Sequence, residues 1–218
     1  MKRRILMVLS LALMLQSCLV KSLQPFYKKE NLKFNRAFIG NWVDQKKGIW
    51  TVTSIEDKFK KDEDDGIKLS EEDLKARENY KKGYVITYIK NKKEAEFIGM
   101  PFLVGNQFFI DFTPISFEEE DINSLAAQHL LKTHSVAKMD IREGKIVLSW
   151  LSESRVEELL DSGQLRLKHE NMGIEETLLL TASSEQLYKF LKKYLSLKLE
   201  DKWKASDILT LSKADEKP

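Results

Sequence analysis

Hydrophobic residues in the middle of this 218-residue chain recur at every second position, in segment after segment. Trp50 and Val52 alternate with Thr51 and Thr53; Phe108, Ile110 and Phe112 alternate with Gln107, Phe109 and Asp111; Ile146, Leu148 and Trp150 alternate with Val147, Ser149 and Leu151. Successive side chains of a strand point to opposite faces, so this period predicts strands with a buried face. Tyr84–Lys90, Glu94–Gly99, His134–Ile141 and Thr177–Thr181 read the same way, and Lys90–Lys93 and Arg142–Lys145 supply polar hairpin turns. About eight strands follow, mostly antiparallel neighbours. Apolar residues crowd both faces in places, which suits a closed antiparallel β-barrel or strongly curved sheet better than a flat one. The expected fold class is mainly β with flanking helices.

The clearest helix follows Ser183-Ser184-Glu185-Gln186, a capping box in which the Ser183 hydroxyl accepts from the N–H three residues on and Gln186 reaches back. Behind it Leu187, Phe190, Leu191, Tyr194 and Leu195 share one stripe, with Lys189, Lys192 and Lys193 opposite. This C-terminal amphipathic helix, Ser184–Lys198, is expected on the outside of the sheet, before a short last strand over Asp207–Leu211. Weaker helical patterns cover Ile122–Lys132 and Ser154–Asp161, the second stopped by Gly163. Between Ile55 and Gly83, 18 of 29 residues are charged. That stretch reads as a solvated excursion, partly disordered, with a short helix from Ser70 to Tyr80.

The N-terminus has a different organisation. Lys2-Arg3-Arg4 precedes the apolar stretch Ile5–Leu15, then Gln16-Ser17 and Cys18, the layout of an export signal. This stretch of 11 residues, interrupted only by Ser10, is too short for a permanent helical span, which needs about 20. Leu15-Gln16-Ser17-Cys18 resembles the lipobox of bacterial lipoproteins. The resemblance implies cleavage after Ser17, a diacylglycerol on the Cys18 sulfur, and acylation of the new amino group. The run Cys18–Tyr27 is also similar to uncharacterised bacterial lipoproteins, a likeness that implies no activity. In such lipoproteins an aspartate after the cysteine marks retention at the inner membrane; Leu19 stands there instead, which implies the outer membrane. No acidic cluster follows Cys18, which implies a domain facing the periplasm. The expected organisation is a signal peptide over residues 1–17, a lipid-anchored tether over 18–37, a single domain over 38–213 with the charged excursion 55–83, and a tail over 214–218. The tether's Pro25-Phe26-Tyr27 and Leu32-Lys33-Phe34 are too aromatic for a free linker, so part of it should lie on the domain.

Cys18 is the only cysteine, so stability after export must come from packing. Removing Lys2, Arg3 and Arg4 turns 36 basic against 34 acidic residues into 33 against 34. This balance gives no support to nucleic-acid binding.

Phe38-Ile39-Gly40-Asn41-Trp42 resembles the Gly-x-Trp element opening the first strand of lipocalins and related calycins. The resemblance implies a barrel whose floor is built by Gly40 and Trp42: the glycine lets the strand start close against the floor, and the indole closes it with its N–H bonded. Helix and last strand come in the family's order. The family's arginine near the last strand is missing, however; Lys204 and Lys213 are the nearest candidates, and the long excursion is a further departure.

Inside such a barrel, alternation places Trp50, Tyr84, Tyr88, Phe97, Phe108 and Phe112, along with Val52, Ile86 and Ile110. This set suits a small apolar ligand or lipid, and it equally suits a barrel filled by its own side chains. Lys61-Asp62-Glu63-Asp64-Asp65-Gly66 invites comparison with a calcium loop, but Lys61 sits where the first ligand must be. His129, His134 and His169 lack metal-ligand spacing, and no nucleophile elbow or glycine-rich phosphate cradle is present. No cofactor, metal or enzymatic activity is expected. The sequence therefore leads to a non-enzymatic, membrane-anchored lipoprotein binding a small apolar ligand or lipid. The alternative is a filled scaffold that binds another envelope protein through the charged excursion or the C-terminal helix.

Overall fold

The computed structural model describes residues 19–117, 130–174, 176–199, 202–203 and 208–214. Its strands are β1 (Lys21–Ser22), β2 (Gly40–Asp44), β3 (Ile49–Ser54), β4 (Tyr84–Lys90), β5 (Lys93–Val104), β6 (Gln107–Phe117), β7 (Ser135–Arg142), β8 (Lys145–Trp150), β9 (His169–Met172), β10 (Thr177–Leu180) and β11 (Ile208–Lys213). The helices are α1 (Ile55–Asp64), α2 (Glu71–Tyr80), α3 (Glu153–Asp161) and α4 (Ser184–Ser196).

Eight strands form a closed antiparallel barrel, as the alternation predicts. Strands β2 to β8 follow one another around the wall, and β11 closes it between β8 and β2. Two of the hairpins turn at consecutive residues with positive φ, Asn91 and Lys92 at 52° and 65° and Glu143 and Gly144 at 49° and 74°. That geometry matches the twist of flanking strands in short hairpins. Trp42, Trp50, Val52, Tyr84, Ile86, Ile110, Met139 and Leu148 belong to the core cluster that fills the barrel.

A second core lies outside the wall. Phe102, Val104, Phe109 and Val136 join Leu187, Phe190, Leu191 and Tyr194 of α4, Val156 and Leu159 of α3, and Val20 and Phe26 from the N-terminal segment. The wall is apolar on both faces here because α4 and the N-terminal segment cover it. Helix α4 has the expected capping box, with Ser183 accepting from Gln186 N–H.

Two expectations are corrected, and a third lies mostly outside the described residues. Thr177–Thr181 is not a barrel strand: β10 pairs in parallel with β1 and antiparallel with β9 in a separate three-stranded sheet. Its Leu178 and Leu180 belong to the outer core, which explains its strand-like apolarity. The excursion between β3 and β4 is not partly disordered but folds as α1 and α2. Arg77 of α2 ties to Glu56 at 2.8 Å and Glu63 at 2.9 Å on α1, and Ile55 is buried. The helix expected over Ile122–Lys132 falls mostly outside the described residues, and its last residues, Leu130–Lys132, are not helical.

Candidate functional site

The chain enters at one end of the barrel and descends its outside to the other. Leu19 bridges to Ser152, just beyond the last residue of β8, and Ser22 bridges to His134, just before β7. Farther on, Leu32 bridges to Phe102, and Asn35 exchanges hydrogen bonds with the Tyr84 hydroxyl: its N–H donates at 3.0 Å and its carbonyl accepts at 2.7 Å. A 3-10 turn, Arg36–Phe38, then closes the floor before β2 begins. Residue 19 therefore lies at the opposite end, the mouth.

At the floor, Gly40 adopts φ 134°, a conformation glycine reaches without penalty. Trp42 is buried, and its indole N–H donates to Phe38 O at 3.0 Å. Tyr84 meets Phe38 edge-on at 5.3 Å and Phe34 at 5.1 Å. Burial pushes the Tyr84 hydroxyl up to about 12. Tyr84 is thus a floor residue. Phe108 is half-buried against the interior cluster, paired with Met139.

Toward the mouth the structure gathers the other four candidates. Trp50 meets Tyr88 at 4.7 Å and Phe112 at 6.4 Å, and Phe112 meets Phe97 at 6.3 Å. Sequence reasoning missed two further members of this cluster. The first is Trp150, 9% exposed, whose ring lies 5.6 Å from Phe112. Its indole nitrogen is buried without a hydrogen-bond partner among the described residues. The alternation of β8 puts Trp150 on the inner face and could have identified it.

The second is Asp44, buried where β2 turns into β3. Its carboxylate accepts from the backbone N–H of Lys46 and Gly48 at 2.8 Å each and from the Trp50 indole at 2.9 Å. Burial, with the nearby Asp44 charge and hydrogen bond, pushes the Tyr88 hydroxyl up to about 12. Gly48 is needed beside it, because a Cβ there would collide with the Tyr88 ring. The buried charged residues among those described are Asp44 and Asp111; no lysine or arginine joins them.

Asp111 faces outward from the wall yet is completely buried under the N-terminal segment. It accepts from Phe26 N–H at 2.8 Å, and its other oxygen meets His134 Nδ1 at 2.7 Å. Thr113 Oγ1 also reaches that nitrogen, at 2.9 Å. Desolvation raises the Asp111 carboxyl above the usual range, against the opposing pull of His134 and Phe26 N–H. The pair clamps the segment that leads from Cys18 onto the barrel.

Among the described residues no group of three or more His, Cys, Asp or Glu is placed to hold a metal ion. Lys61–Asp64 ends α1, so the calcium-like run is helical there instead of wrapping as a loop. His169 is exposed, while Cys18, His129 and Lys204 lie outside the described residues. A groove of about 280 Å³ separates α1 and α2 from Val85, Ile98 and Ile115 on the outside of the barrel. No family model, curated protein or solved structure matches this chain.

Proposed function

We propose that the chain is a non-enzymatic lipoprotein of the bacterial outer membrane, anchored through Cys18 and facing the periplasm, whose lipocalin-like barrel holds a small apolar ligand or lipid at its mouth. The observation that carries the ligand is the Trp150 indole N–H, which lies in an aromatic cluster without a hydrogen-bond partner among the described residues. A buried donor without an acceptor costs about 1–3 kcal/mol, and a ligand oxygen would recover it. Aromatic walls with one or two placed polar groups are the usual make-up of small-molecule sites. Asp44 shapes the choice further. Its negative charge, with no buried cation among the described residues to offset it, disfavours a carboxylate ligand and favours a neutral oxygen such as an ester carbonyl. The anchor rests on Leu15-Gln16-Ser17-Cys18, and with two or more acyl chains attachment would be firm.

Native mass spectrometry of the full chain released from its own membrane tests the ligand; a co-purifying neutral lipid is expected. Trp150→Phe keeps the ring and removes the N–H, and should weaken binding of monoolein roughly fivefold. No bound lipid, together with no monoolein binding, sinks the ligand. Cys18→Ser should abolish palmitate incorporation and release the protein from membranes. A second reading, a filled scaffold contacting an envelope protein, is favoured by the tight interior at Gly99, where a Cβ would stand 2.6 Å from Ile86 Cδ1. Crosslinks mapping to residues 55–83 would support it.

A further inference from the structure

Large apolar side chains left in water are costly, and here several cluster where the anchor emerges. Ile174, at the tip of the β9–β10 hairpin, is fully exposed, and Met172 beside it is 45% exposed. The parallel register Lys21↔Leu179 and Ser22↔Leu180 carries back toward Leu19 at the start of β10, so the hairpin tip projects on the side of Leu19. Leu19 itself is exposed. Nothing intervenes between anchor and fold: Leu19 bridges to Ser152 and Val20 is buried, so an acylated Cys18 would hold this end of the molecule against the lipid surface.

We infer that the β9–β10 tip, with Leu19, is a bilayer-docking face: Met172 and Ile174 enter the interfacial region and set the barrel mouth against the membrane. This rests on the lipoprotein reading and adds a second, non-covalent contact to it. The occupant is a phospholipid surface held by apolar burial. Glu170 and Glu176 flank the tip, and both are exposed, so attraction to anionic headgroups is not what holds it. Membrane contact brings apolar side chains out of water, and the contact is insensitive to salt.

The test uses the full, acylated chain in dioleoylphosphatidylcholine vesicles. With Cys18 acylated, Ile174→Cys introduces a single free thiol for an environment-sensitive fluorophore. The emission should shift to the blue and be quenched severalfold by lipids brominated on the acyl chain, equally at low and high salt. The same label at Asn106→Cys, in the β5–β6 turn at the floor end, should remain water-like. A water-like label at position 174 on a chain whose Cys18 mass spectrometry finds acylated overturns the docking face and leaves the anchor standing. An unacylated Cys18 with an inserted label overturns the anchor and leaves the face. Slowed amide exchange of β9 without quenching means that a protein strand covers this edge, and it overturns the proposal.

Discussion

Asp111 stands between Ile110 and Phe112, which point into the barrel, and alternation sends its carboxylate outward to where water would be expected. The N-terminal segment covers it instead. Its folded-state pKa is raised by burial, so the native state holds the proton more tightly than the unfolded chain does. The stability this gives is fully present below the unfolded pKa and is lost as pH rises through the folded one. Asp111→Asn keeps an oxygen for Phe26 N–H and carries no charge. Urea unfolding in steps from about pH 4 to about pH 8 should therefore show the wild type losing stability that the variant retains. Asp111→Ala strands the Phe26 N–H and the His134 partner, and should cost about 1–3 kcal/mol or more throughout. Gly99 supplies a pH-independent comparison. Its Cβ would stand 2.6 Å from Ile86 Cδ1 and 2.9 Å from Ile110 Cδ1, inside a filled barrel. Gly99→Ala should destabilise by about 1–3 kcal/mol, read as a lower urea midpoint with an unchanged slope.

Among the elements, those that carry their own period were legible: the strands around the wall, and α4 with its Ser183 cap and its stripe of Leu187, Phe190, Leu191 and Tyr194. The ones that escaped depend on distant partners. Helix α1 is charged through most of its length and becomes a helix because Ser54 caps it, Ile55 is buried, and Arg77 from another helix joins Glu56 and Glu63. Strand β10 has the pattern of a barrel strand and pairs elsewhere, since apolarity records burial without naming the surface that provides it. At the site, Trp50, Tyr88, Phe97 and Phe112 were legible from alternation, whereas Asp44 and Asp111 were not. A buried carboxylate shows itself only through donors brought in by the fold. The α1–α2 pair also has a measurable independence. Ser54 and Tyr84 are direct partners across β3 and β4, and Ile55 N–H donates to Gly83 O at 3.1 Å, so the insertion's ends already meet. Replacing residues 55–83 with a two-residue Asn-Gly turn should preserve cooperative unfolding and the β-type circular dichroism. The cost expected is about 1.5–3 kcal/mol for the lost burial of Ile55. Leu191→Ala in α4 should cost about 2–5 kcal/mol, because it opens a cavity between the helix and the barrel wall.

At the scale of the whole molecule, the path of the N-terminal segment decides what the barrel can reach. It starts at the mouth, is clamped midway by Asp111 and His134, and ends by closing the floor with Phe38 and the Asn35–Tyr84 exchange. The segment that Asp111 and His134 clamp is therefore also the one that closes the barrel, and the aromatic cluster of Trp50, Phe112 and Trp150 lies at the end nearer Leu19. On the proposed anchoring, an apolar ligand would pass between membrane and mouth without crossing water, while the floor and the Gly105–Asn106 turn would face away. Lengthening the connection separates this geometry from the anchor. Inserting a flexible Gly-Ser linker of about 20 residues after Cys18 leaves acylation possible and frees the domain by several nanometres of reach. If the mouth acquires lipid by facing the bilayer, transfer of monoolein from vesicles to the anchored protein, followed by Trp fluorescence, should slow at least severalfold. Affinity for monoolein measured in detergent should stay the same. Equal transfer rates with and without the linker would mean that the ligand reaches the barrel through water, and that the position of the mouth relative to Cys18 has no part in loading it.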